Sequence, residues 1–175
     1  MGTWLRGSRE FGRMRTTKWI LRFMGLFSKL RNASPAQTPK LEAIAKAVIT
    51  PSVFMIHADG KVQRSEADQL HNLCAFSPIF QELGAPGTKK AVDSVIMDIA
   101  AHGPQAVLSG AISQLSPLLR ETALMFAMRI ALADGELAEV ERAVLLRMAS
   151  EMGISPDNTA AMLEVVLILQ RPASA

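Results

Sequence analysis

One short acidic motif occurs twice in this chain of 175 residues, and it constrains the fold more than any other feature. The first copy reads ADGKVQRSE (58–66) and the second reads ADGELAEVE (133–141). In both copies Ala-Asp-Gly is followed by a variable residue, an apolar residue, three variable residues and Glu. A Gly directly after an apolar helical stretch is typical of a left-handed helix end, and a Glu in the first turn of the next helix is favoured by the helix dipole. Each copy therefore predicts a turn between two helices.

The hydrophobic pattern predicts helices along the rest of the chain. Apolar residues recur every three or four positions, for example in 41–49 and 92–99, and no stretch alternates apolar and polar residues over the length of a strand. Ser-Pro pairs mark further helix starts, and single Gly residues mark further helix ends. We therefore expect an all-α fold: a single compact bundle of about seven helices, built from two pseudo-repeated helical hairpins.

Three local details of this fold are also expected. Pro51 should kink or break the first helix, because proline lacks the N–H that an interior helix position donates. Thr88 is a candidate N-cap for a helix over 89–102. The run VVLIL at 165–169 is expected to pack into the core rather than to form a partner-binding groove.

Composition and charge divide the chain into two parts. Residues 1–32 contain eight Lys or Arg and one Glu, a formal charge of +7, whereas 33–175 contain eleven Lys or Arg and fifteen Asp or Glu, a formal charge of −4. We assign 1–39 to a basic amphipathic segment with a Ser/Pro linker, and 40–172 to the helical domain. The mildly acidic domain argues against a nucleic-acid-binding surface. The single Cys excludes an internal disulfide.

The segment KWILRFMGLFSKL (18–30) has the pattern of a basic amphipathic helix, although it is too short and too charged to span a bilayer. It is expected to lie against a membrane or a partner, to dock on the domain or on a second subunit, or to form a disordered tail. Met24 resembles a natural start, so 1–23 are expected to be an extension. The candidate surface residues are Lys18, Trp19, Arg22, Phe23, Phe27 and Lys29.

The carboxylates of the two motifs are the candidate metal ligands. Turn geometry alone explains the Gly, the apolar residue and the Glu, but an Asp at a helix C-terminus meets the unfavourable end of the dipole. Hydrogen bonds from turn amides would offset that cost. Alternatively, a divalent cation would offset it, and calcium is the ion we expect most. The candidate ligands are Asp59, Glu66, Asp134 and Glu141, supported by Glu136 and Glu139.

The stretch ALADGELAEVERAVLLRMASEMGIS (131–155), with the weaker HADGKVQRSEADQLHNL (57–73), resembles the TerB family of tellurite-resistance B proteins. The resemblance covers about 40–170. It implies an all-α fold with two motif-bearing halves, a bacterial role in resistance to tellurite and other stresses, and divalent-metal binding by the acidic motif residues. The first copy departs from the most acidic members, because it carries Lys61, Gln63 and Arg64.

No catalytic constellation accompanies these features. His71 and Cys74 lie three residues apart without a second His/Cys pair, so a zinc site is not expected there. We expect a non-enzymatic, cytoplasmic stress-response domain that binds a cation or an unidentified protein partner, with a homodimer also compatible. The alternative is an adaptor at the inner face of the membrane, localised by 18–30, in which the acidic turns are structural.

Overall fold

The computed structural model describes residues 38–57 and 64–171, and every regular element in those ranges is a helix. The expected all-α bundle of about seven helices is therefore confirmed for the described part of the chain. Residues 1–37, which include the candidate surface residues of 18–30, lie outside the described ranges, as does Asp59 in the first turn. The pseudo-repeat consequently stays a prediction. The helices are α1 (Thr38–Ile56), α2 (Arg64–Phe76), α3 (Pro78–His102), α4 (Pro104–Gln114), α5 (Pro117–Ala131), α6 (Glu139–Glu151) and α7 (Pro156–Leu169).

Helix α1 is the central element, and it packs most extensively on α5 and α3 and then on α4. Every residue from 47 to 56 is buried, as expected for a helix that is apolar on all sides. Of the two outcomes expected at Pro51, the break is wrong, because α1 continues through it to Ile56, and the kink stays a prediction. A helix-interior proline costs about 3 kcal/mol, whereas full burial of each Val, Ile or Phe side chain contributes about 1.5–3 kcal/mol. Burial of Val53 and Phe54 in the next turn therefore outweighs the lost hydrogen bond.

Helix α3 consists of two helical segments that meet at a kink. Its backbone leaves the helical region only at Gly84, which has φ 74° and ψ 166°. Thr88 is not the N-cap, since its hydroxyl donates to the carbonyl of Gly84 at 2.9 Å from inside the helix. Pro86 tolerates this place because it lies in the first turn after the kink, where its missing N–H is not needed.

The Ser-Pro pairs begin α5 and α7 as expected. The side chains of Ser116 and Ser155 accept hydrogen bonds from the amides of Leu119 (3.4 Å) and Asn158 (3.2 Å). The proline that follows each serine occupies the first helical turn.

The exposed apolar side chains include several that the sequence places in the core. Within 165–169 only Val166 is buried, and the other four side chains are exposed, so the core prediction for this run is wrong. Five consecutive helical residues point in all directions around the axis, and one face of α7 is available for packing on α5 and α6. No described helix is both long enough and apolar enough to cross a membrane.

Candidate functional site

The second Asp-Gly turn connects α5 to α6 and is held by a series of local hydrogen bonds. The amide of Leu132 donates to Met128 O (3.1 Å), and the amide of Gly135 donates to Leu132 O (3.1 Å). Gly135 has φ 92°, a conformation that strains any residue with a Cβ. Leu137 then packs against the core and fixes the direction in which the chain enters α6.

The carboxylate of Asp134 forms an Asx turn. Its Oδ1 accepts a hydrogen bond from the amide of Glu136 at 3.1 Å. This bond offsets the unfavourable position of a negative charge at the C-terminal end of α5. The sequence left open whether turn amides or a cation compensate this charge, and in the structure a turn amide does so.

Glu141 closes the other end of the turn. Its Oε2 accepts from the amide of Ala138 at 2.9 Å, which satisfies an amide that would otherwise lack a partner before the first turn of α6. Ala138 has no side-chain oxygen to return a bond to Glu141, so this is half of a capping box. The position of Glu141 in the first helical turn also favours its negative charge.

The turn thus carries four of the candidate ligands within eight residues of the sequence. Asp134 and Glu141 are engaged by turn amides, whereas Glu136 and Glu139 are exposed, and their carboxylates make no hydrogen bond or ion pair with any residue that the structure describes. Within 38–57 and 64–171 no three His, Cys, Asp or Glu side chains converge as metal ligands do. The described residues therefore do not form the closed shell of six to eight oxygens that a tightly held calcium ion requires.

Of the first Asp-Gly motif (58–66), the structure describes only residues 64–66. Glu66 lies in the first turn of α2, as the sequence predicts, and is 6% exposed. Glu141, its counterpart in the second motif, is only half-buried. Equivalent positions in the two motifs therefore differ in their access to solvent, and Glu66 is the less available of the two to an ion from solution.

A groove between α2 and α3 is a feature that the sequence analysis did not find. It has a volume of about 640 Å³, and its floor carries Leu70, Cys74, Phe80 and Val92. Burial raises the pKa of the Cys74 thiol to about 11, so the thiol is protonated and uncharged at neutral pH. The one signal in the sequence is the helical spacing of Ala67, Leu70, Cys74 and the small residues after Phe80, but only the packing of α2 on α3 turns that spacing into a groove.

The comparisons with known proteins give one match. The family model described as "Tellurite resistance protein TerB" matches residues 45–164, which is more than half of the chain. No match was found among curated proteins or solved structures. The matched range contains the whole of α2 to α6 and both Asp-Gly motifs, and the all-helical fold agrees with it. The chain belongs to the TerB family.

Proposed function

We propose that this TerB-family chain is a non-enzymatic stress-response protein, related to tellurite resistance, that acts by binding. The observation that supports this best is the acidic turn over 134–141. Two of its four carboxylates fix the backbone, and the other two face solvent without a partner within residues 38–57 and 64–171. A surface held rigid before binding loses less conformational entropy when it binds.

The charge around the turn favours a cationic ligand. From Ile130 to Glu141, both included, the chain has no Lys or Arg and four acids. This surface suits two kinds of ligand. One is a divalent cation, most of all calcium, that keeps several of its bound waters. The other is a basic segment of a protein partner. Because the described carboxylates do not enclose an ion, we expect cation binding at about millimolar strength, as in the weakest extracellular calcium modules.

Titration with Ca²⁺, Mg²⁺ and Zn²⁺, followed by amide shifts in NMR spectra, tests the cation. We expect amides in 133–141 to shift in the wild-type protein, and Glu136→Gln/Glu139→Gln to lose most of that response without a change in melting temperature. Asp134→Ala should lose the response together with the order of the turn. The control is Glu82→Gln, which removes an exposed acid from α3.

The cation proposal fails if no divalent ion at millimolar concentration perturbs 133–141. A response that survives unchanged in the Glu136/Glu139 double variant would equally contradict it. In either case the acidic turn is left as a surface for a basic partner, which a pull-down with defined Lys- and Arg-rich peptides measures directly.

The second candidate function is a membrane-surface adaptor, favoured by the segregated charge of +7 in 1–32 and the apolar face in 18–30. We expect the full chain to float with liposomes that contain anionic lipid, and a chain lacking 1–32 to remain in the dense fraction. Neutral liposomes are the control. Flotation that is the same with and without 1–32 would contradict the adaptor.

A further inference from the structure

We propose that the groove between α2 and α3 binds a single-chain amphiphile with an anionic head, such as a free long-chain carboxylate. The groove is separate from the acidic turn, and the proposal does not depend on it. Its size of about 640 Å³ lies within the range of about 300–1,000 Å³ that is typical of sites for small molecules.

The floor of the groove is suited to an alkyl chain. Phe80 is 2% exposed and Cys74 is 7% exposed, so both present apolar atoms from the core. Leu70 and Val92 are half-buried and extend this surface up the two walls. The Cys74 thiol does not add charge, because its pKa of about 11 keeps it protonated at neutral pH.

Small side chains keep the groove open. Ala67 and Ala75 line the α2 side and are exposed, and Ala85 lines the α3 side immediately after the kink at Gly84. At Gly84 the left-handed backbone (φ 74°) turns the chain, and Thr88 satisfies the Gly84 carbonyl freed by the kink. The walls therefore diverge without leaving this carbonyl unsatisfied.

The rim supplies complementarity for an anionic head. Lys89 lies on the α3 rim, where its ammonium pairs with the carboxylate of Asp93 at 2.5 Å. Both side chains are more than half exposed, and such pairs contribute little stability, so a ligand carboxylate can replace Asp93 at low cost. His71, on the α2 rim, adds a ring N–H donor. The Asp93 carboxylate thus occupies the place that a ligand head group would take.

The experiment is a titration of the full chain with dodecanoate below its micelle concentration, followed by calorimetry and by amide shifts of the groove residues. We expect saturable binding, and octanoate should bind at least about tenfold more weakly because four methylenes are lost. Lys89→Met should lower the affinity for dodecanoate about two- to fivefold, and Asp93→Asn should raise that affinity by a similar factor.

Matched controls separate head-group recognition from general effects. Lys90→Met removes the neighbouring charge, which pairs with Glu42 of α1 and does not line the groove, and it should leave binding unchanged. Dodecanol has no charge, so its affinity should be the same for the wild type, the Lys89 variant and the Asp93 variant. Ala75→Phe fills the groove from an exposed position and should weaken dodecanoate about tenfold or more, with the helical content of the variant checked by circular dichroism.

The proposal is wrong if no groove amide responds to dodecanoate, or if Ala75→Phe folds normally and binds as the wild type does. Equal effects of Lys89→Met on dodecanoate and dodecanol would overturn the assignment of the head group. If the groove amides change with protein concentration and not with dodecanoate, the occupant is a second copy of the chain, and the amphiphile proposal is also wrong.

Discussion

Asp134 stabilises the turn with one hydrogen bond and retains lone pairs that are not used by that bond. Its Oδ1 is used by the amide of Glu136, and a carboxylate has further lone pairs on both oxygens. Gly135 makes the geometry accessible, because its positive φ carries no steric cost without a Cβ. The pair Asp-Gly is thus explained by the turn itself, and any cation contact would use the remaining lone pairs.

Ser52 is the residue whose environment is least expected from the sequence. It is 0% exposed, and its hydroxyl has no hydrogen-bond partner among the described residues. Thr50, two positions earlier, is equally buried, but its hydroxyl donates to Lys46 O at 2.7 Å. The two hydroxyls of one helix therefore make opposite contributions to stability.

Ser52→Ala is expected to leave the free energy of unfolding unchanged or to raise it by up to about 1 kcal/mol, because an unsatisfied buried hydroxyl is removed. Thr50→Val, which keeps the side-chain shape, should lower it by about 1 kcal/mol. Urea denaturation of both variants measures the difference. A loss of more than about 1 kcal/mol in Ser52→Ala would mean that the hydroxyl does have a partner.

At the level of elements, Arg120 joins three helices at one end of the bundle. From the first turn of α5 its Nε donates to Leu115 O, which follows α4, at 3.1 Å. Its Nη1 donates to Met152 O, at the end of α6, also at 3.1 Å. The guanidinium therefore satisfies carbonyls at two helix ends, where a positive charge is also favoured.

Arg120→Met keeps the aliphatic stem and removes both hydrogen bonds. We expect it to lower the free energy of unfolding by about 1.5–3 kcal/mol, the range for hydrogen bonds from a charged group. The control is Arg147→Met in α6, which removes an ion pair with Glu151 and an exposed hydrogen bond to Gln105 Oε1 (3.1 Å). Because these contacts are at the surface, it should cost less than about 1 kcal/mol. Equal melting temperatures for the two variants would show that Arg120 does not join these elements.

At the scale of the whole molecule, charge and apolar surface are distributed unevenly. The basic residues are concentrated in 1–32, and the acidic turn belongs to the helical domain. Within the described part of the chain, large apolar side chains are exposed at the end of α7, and a groove with a mainly apolar lining lies between α2 and α3. The domain therefore carries surfaces of different chemistry at different places.

Much of the candidate site could be predicted from the sequence because it is made of local interactions. The Asx turn of Asp134 spans two residues, and the bond from Ala138 to Glu141 spans three. Ser-Pro starts and Gly ends are equally local, so the helix count and the position of the second turn follow from the chain alone. The family resemblance rests on the same short stretches.

Non-local packing determined the rest. The path of α1 through Pro51 depends on burial against α5 and α3, and no local rule contains that contribution. The run at 165–169 is apolar on every side, so its sequence does not indicate which face is buried. The groove exists only because α2 and α3 lie side by side with small residues between them. The sequence by itself determined the helices, their turns and the family, since these are set by bonds within a few residues. Only the tertiary structure decided which faces are left open for binding, because exposure is a property of the whole packed assembly of helices.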